Sequence, residues 1–141
     1  MSKVVDGKII NDGEYSNKEL ELLSFIETYG VLTGSRSYFD DERIKDDTDY
    51  DYVLCIGNYL KVWDMVESSE GKIKWVPNYK GGIKLEICGK SIDVWGNKDE
   101  NNIRVLNNVM KSLDNDGVLK KIGKSEYVRI YAILSAFLEN I

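Results

Sequence analysis

The apolar positions of this chain change period several times, and each change marks a different element. Lys3 to Ile10 reads as a short strand, and the turn-rich NDGEYSN leads from it into a helix. Ser16 and Glu19 have the S-x-x-E spacing of a capping box, in which each side chain satisfies the other residue's backbone N–H. Leu20, Leu23 and Ile26, with Leu22, Phe25 and Tyr29, supply the apolar face of this helix, and Gly30 is placed to stop it. VLT then predicts a short buried strand ending at Gly34-Ser35, and the polar stretch SYFDDERIKDDT carries the chain to a second strand, DYDYVLCI. There the period of two puts Asp49, Asp51, Val53 and Cys55 on one face and Tyr50, Tyr52, Leu54 and Ile56 on the other.

Helical spacing returns in GNYLKVWDMVESSEG, where Leu60, Trp63 and Val66 are expected to cover one face of the sheet. IKWVP is a further strand, and GGIKLEI and SIDVWG flank Cys88-Gly89-Lys90 as a hairpin, with Asp93 in mid-strand between Ile92 and Val94. From Asp99 the pattern is helical again, with Ile103, Leu106, Met110 and Leu113 at three- and four-residue steps, ended by the NDG at 115–117. A last helix from about Ser125 carries Tyr127, Ile130, Tyr131, Leu134, Leu138 and Ile141, with Ile133 and Phe137. So wide an apolar surface is either core or a subunit contact. No repeat, no low-complexity block and one proline, Pro77, leave nothing that marks a linker, so residues 1–141 are read as one domain.

Composition narrows the chemistry. The 141 residues are 43% hydrophobic and 30% charged, as one globular domain requires. The net charge of -5 offers no basic field for a long nucleic-acid duplex. No signal-peptide core or membrane-length apolar run is present, so the expectation is a soluble, cytoplasmic protein. Cys55 and Cys88 sit in apolar stretches and are expected to be reduced core thiols. The chain has no histidine, which removes Ser-His and Cys-His nucleophile systems and histidine metal sites, and any acid-base or metal chemistry must rest on carboxylates.

Three aspartates then stand out, because a carboxylate at a strand position needs a cation, a donor or open water to replace its hydration. Asp49 and Asp51, at i and i+2, project side by side about 7 Å apart at the backbone, close enough to share hard divalent cations. Asp93, from a neighbouring strand, could complete such a site. An oxygen-rich, histidine-free cluster selects Mg²⁺ or Mn²⁺ over zinc. Gly34-Ser35 supplies a complementary half, since a glycine at a strand-to-helix turn lets backbone N–H groups and a hydroxyl approach a phosphate. Each signal alone is ordinary, a solvated edge or a plain turn; it is their order that carries weight.

In that order, LTGS, then DYDYVL, then SIDVW, the residues resemble the DNA polymerase beta-like nucleotidyltransferase superfamily over roughly 30–96. The resemblance implies a mixed α+β fold, a short mixed sheet flanked by helices, with a C-terminal helical part at about 99–141, as a single minimal nucleotidyltransferase domain. It implies that Asp49 and Asp51 bind a pair of Mg²⁺ or Mn²⁺ ions, with Asp93 helping to hold the ion that activates the acceptor hydroxyl. It further implies that Ser35 and the amide beside Gly34 contact the β/γ-phosphates of an NTP, ATP by default. The expected activity is transfer of a nucleoside monophosphate to a hydroxyl of a small molecule, a protein or an RNA end. The thirteen residues between Ser35 and Asp49 are near the long end of the family's gap, and Thr48 stands where serine is common.

Around this core some roles stay open. Arg36 is either a phosphate contact or an exposed surface arginine. Trp95, two residues past Asp93 and on its strand face, is either a base or acceptor contact or core. Glu86 has a facing that only the register decides, and the acidic gap residues Asp40, Asp41, Glu42, Asp46 and Asp47 read as a solvated loop. The alternative function is an antitoxin-like or nucleotide-sensing binding module of the same fold that pairs with a helical protein partner, or a dimer, through the C-terminal helix.

Overall fold

The computed structural model describes residues 2–5, 8–11, 15–39, 44, 48–78, 81–97 and 100–139. Strands β1 (Ser2–Val5) and β2 (Lys8–Asn11) form a two-stranded antiparallel sheet in place of the single strand that the apolar run predicts. Val5 pairs with Lys8, so the apolar run is two paired strands and not one continuous strand.

Helix α1 (Asn17–Tyr29) starts at the expected box: the Ser16 hydroxyl accepts from the Glu19 N–H, and the Glu19 carboxylate accepts from the Ser16 N–H at 2.9 Å. Such a cap contributes about 1 kcal/mol. Gly30 closes the helix by donating to the Ile26 carbonyl. β3 (Val31–Thr33), the single-turn α2 (Ser35–Tyr38), β4 (Tyr50–Cys55) and α3 (Ile56–Glu67) follow. Then come β5 (Lys74–Pro77), β6 (Ile83–Ile87), β7 (Lys90–Asn97), α4 (Glu100–Asn115), a 3-10 turn at Leu119–Lys121 and α5 (Lys124–Glu139). Strands β3 to β7 form a mixed five-stranded sheet in the order β3-β4-β7-β6-β5, in which only β4 and β7 run parallel. The protein is thus an α+β fold with helices on both sides of a mixed sheet.

One face of the sheet carries the main apolar core. Leu54, Ile83, Leu85, Ile87, Ile92 and Val94 are buried there beneath Leu22, Leu23 and Ile26 of α1 and Val62 and Val66 of α3. Alternation on β6 and β7 produces this face, and it simultaneously turns Lys84 and Asp93 to the other side. α3 is rotated from the expected facing: Leu60 is 56% exposed, because it lies about 200° around the helix from Val62. Trp63 does pack inward, edge-to-face with Trp75 at 5.1 Å.

The opposite face is divided. Ile103 of α4 covers Val31 and Val53, while Met110, Tyr38, Phe39 and Leu119 form a second cluster with Tyr127, Ile130, Tyr131 and Leu134 of α5. The NDG after α4 does end it, with Gly117 at φ 81°. The β6–β7 hairpin turns on two residues rather than three, since Lys90 already pairs with Ile87, leaving Cys88 at φ 51° and Gly89 at φ 72°. Cys88 is therefore a half-buried turn residue, and Cys55 is half-buried at the end of β4; both are thiols, as expected, though neither is deep in the core. Among the described residues no helix is long and apolar enough to cross a membrane.

Candidate active site

Register brings the predicted chemistry together. Thr33 pairs with Asp51, Asp51 with Asp93, Asp93 with Lys84 and Lys84 with Val76, so one row of side chains crosses all five strands on a single face. Asp93 is buried, at 6% exposure, while Asp51 is partly buried. Asp49 differs from its expected place in one respect: β4 begins at Tyr50, so Asp49 lies just ahead of the strand, where its side chain is 41% exposed.

The Gly-Ser turn meets this row directly. Gly34 has φ 72° and ψ −161°, and a Cβ added there would lie 2.1 Å from Oδ2 of Asp51. Only glycine allows both the backbone angle and the approach of the carboxylate. Ser35 opens α2 immediately beside it, and its carbonyl accepts from the Phe39 N–H.

Asp51 and Asp93 are direct cross-strand neighbours on this face. Burial, followed by the charges of Asp93 and Asp49, pushes the Asp51 carboxyl up to about 7, with Lys84 opposing. Asp93 is also raised, first by burial, although Asn78 and Lys84 counteract it; the Asn78 amide donates to its Oδ1 at 3.0 Å. Lys84 Nζ lies 3.1 Å from Asp49 Oδ2 and 3.9 Å from Asp93 Oδ2.

Beside Asp51 lies a layer of neutral hydroxyls. Thr33 Oγ1 donates to Asn107 Oδ1 at 2.7 Å, Asn107 Nδ2 donates to the Leu32 carbonyl at 2.9 Å, and the Tyr131 hydroxyl is 3.3 Å from Thr33 Oγ1. Tyr38 also bonds to Thr33. Burial raises both Tyr38 and Tyr131, and the nearby Asp51 charge raises them further, so they remain protonated hydroxyls.

Arg36 is turned to the backbone. Its Nε and Nη2 donate to the Thr48 carbonyl at 3.1 and 2.8 Å, and its guanidinium stacks 3.8 Å over the Tyr50 ring. It thereby fixes the entry to β4, and with it Asp49 and Asp51. Trp95 shares the Asp93 face, as the period predicts, but packs against Val31, Val53 and Ile103, its indole lying over Gly82. Glu86 pairs with Ser91 in the next row, exposed. Asp40, Asp41, Glu42, Asp46 and Asp47 lie outside the described residues.

Two contributors escape a reading of the sequence. Lys84 had a signal, because alternation in GGIKLEI opposes it to Ile83 and Leu85, and a two-residue turn at Cys88-Gly89 pairs it with Asp93. Asn78 had none, since it reaches Asp93 from the loop after β5.

Oxygen donors alone, with charge in excess of the single ammonium among them, suit a hard divalent cation in kind. In arrangement they are gathered differently: Asp51 and Asp93 face each other, and Asp49 is drawn to Lys84. Among the described residues no three carboxylate or thiol groups converge so as to hold a metal ion. Comparisons with protein-family models, curated proteins and solved structures found no match.

Proposed function

We propose that this chain is a divalent-metal-dependent nucleotidyltransferase, moving a nucleoside monophosphate from an NTP, ATP by default, to a hydroxyl acceptor on a small molecule, a protein or an RNA end. The observation that carries this reading is the contact of Gly34 with Asp51. It brings the Gly-Ser half and the carboxylate half of the sequence pattern to one point, in register with Asp93.

Asp49, Asp51 and Asp93 would hold Mg²⁺ or Mn²⁺, which when bound lowers the pKa of the attacking hydroxyl and balances the charge of the departing pyrophosphate. The protein's own part is placement. Thr33 and Gly34 fix one side of Asp51, Asn78 orients Asp93, and Arg36 holds the chain that carries Asp49. Ser35 would offer its hydroxyl to the phosphates. The net negative charge and the small domain favour small-molecule or protein acceptors over a long primer.

Calorimetry with each of the four NTPs tests the reading, with and without Mg²⁺, on the wild type and on a folded Asp49→Asn/Asp51→Asn double variant. Binding that requires both the metal and the wild-type carboxylates is expected. Absence of NTP binding under every metal condition, or equal metal-dependent binding by the double variant, would refute it.

A second reading, a binding module that pairs with a helical partner or a second copy, draws on α5. None of its described residues is fully buried, and Ile133 and Phe137 are 68% and 65% exposed.

A further inference from the structure

We propose that Lys84 is the resident counter-ion of this site, an ammonium that a divalent cation must displace before the three carboxylates can close around it. This inference rests on the metal-dependent reading above and assigns the residue that sets the cost and selectivity of metal entry.

Lys84 comes from β6, the strand on the far side of β7 from the Asp51 strand, and the β6–β7 register sets it opposite Asp93. Its ammonium spans Asp49 at 3.1 Å and Asp93 at 3.9 Å. The cation held between Asp49 and Asp93 is thus the Lys84 ammonium itself. The two ends of the bridge differ in freedom. The Asp93 side chain is 8% exposed and anchored by Asn78, whereas the side chains of Lys84 and Asp49 are 37% and 41% exposed.

An ion pair so exposed is weakly held, and a four-carbon stem lets the ammonium swing into water without moving the strand. Release of Lys84 frees Asp49 to turn to the Asp51–Asp93 side. A divalent ion brings more charge than the ammonium it replaces, while a monovalent ion gains nothing by the exchange. The arrangement therefore rejects Na⁺ and K⁺ at the same step at which it admits Mg²⁺ or Mn²⁺.

Mn²⁺ is the probe, with free ion counted by electron paramagnetic resonance in the wild type, Lys84→Met and Lys84→Arg at one ionic strength. Lys84→Met should bind Mn²⁺ about three- to tenfold more tightly, because a competing like charge has been removed, and Lys84→Arg should stay near the wild type. In EDTA the Met variant should melt below the wild type, and Mn²⁺ should raise its melting temperature by the larger amount. If Lys84→Met does not fold, Lys84→Gln must show the same tightening. Unchanged or weaker Mn²⁺ binding by a folded neutral variant overturns the counter-ion role and makes Lys84 a support for Asp49. Absence of Mn²⁺ binding by wild type and variants alike brings down the metal-dependent reading, and this inference with it.

Discussion

Replacing Gly34 by alanine tests the contact at the centre of the site. At φ 72° and ψ −161° the backbone occupies a region that residues with a Cβ avoid, at a cost of about 1–3 kcal/mol. Loss of glycine's freedom in the unfolded chain returns about 0.4–1 kcal/mol, so backbone terms alone leave the variant destabilised by about 1–2 kcal/mol. The new methyl group would also start 2.1 Å from Asp51 Oδ2 and 3.0 Å from its Cγ. An ordinary contact needs more than about 1 Å of extra separation, so the Asp51 carboxylate or the Gly34 turn must shift. Together these predict a fall in melting temperature of roughly 4–10 °C, with Mn²⁺ affinity falling at the same time. Gly71→Ala is the control, because Gly71 has φ 81° yet nothing lies within 4 Å of where its new methyl group would stand, so it carries backbone strain alone. Should Gly34→Ala melt no lower than Gly71→Ala and bind Mn²⁺ as the wild type does, the Gly34–Asp51 contact does not organise the site.

Asp51→Asn should abolish transfer and yet stabilise the metal-free protein in a pH-dependent way. Asp51 sits at about 7 when folded against 3.8 ordinarily, so below pH 4 both states hold the proton, and between pH 4 and 7 the unfolded chain alone releases it. Wild-type stability therefore falls as pH rises through that window, and the penalty is complete above pH 7. The displacement sets a ceiling of about 4 kcal/mol; coupling to Asp93 and partial solvation bring the expected gain for the variant to about 1–2 kcal/mol at pH 8 in EDTA. Urea titrations at pH 4, 6 and 8 measure it, and a gain that does not grow with pH contradicts the assigned cause. On α5, Ile133→Ser with Phe137→Ser should change stability by no more than about 0.5 kcal/mol. If the second reading holds, the same pair should convert an associating protein to a monomer in sedimentation; a loss of several kcal/mol would instead show that these side chains are core.

The sheet and its site were legible where local pattern and register agree. Alternation placed Asp51 and Val53 together, the capping box placed α1, and the period of β7 placed Trp95 on the Asp93 face. Readings failed where a facing depends on what packs from elsewhere. Leu60, Trp63 and Val66 fit one helical stripe by spacing, but packing of α3 on β4, β7 and α1 buries Val62 beside Val66 and Trp63 and leaves Leu60 outside. Arg36 sits beside the Gly-Ser turn in sequence, yet the Thr48 carbonyl and the Tyr50 ring, twelve or more residues on, capture it. The hairpin at Cys88 hid Lys84 for a related reason, since a three-residue turn shifts every pairing that follows.

The parallel pairing of β4 with β7 also bears on how the protein reaches its native state. Asp51 and Asp93 become neighbours only across that pair, with roughly forty residues, including α3 and the β5–β6 hairpin, between them. Such a contact is among the most distant in sequence that the sheet contains, and it joins two groups that repel when ionised. The chain thus has reason to assemble its locally paired parts first and to bring these strands together late. An ion bound between them would then act chiefly after the folding barrier, slowing unfolding more than it hastens folding.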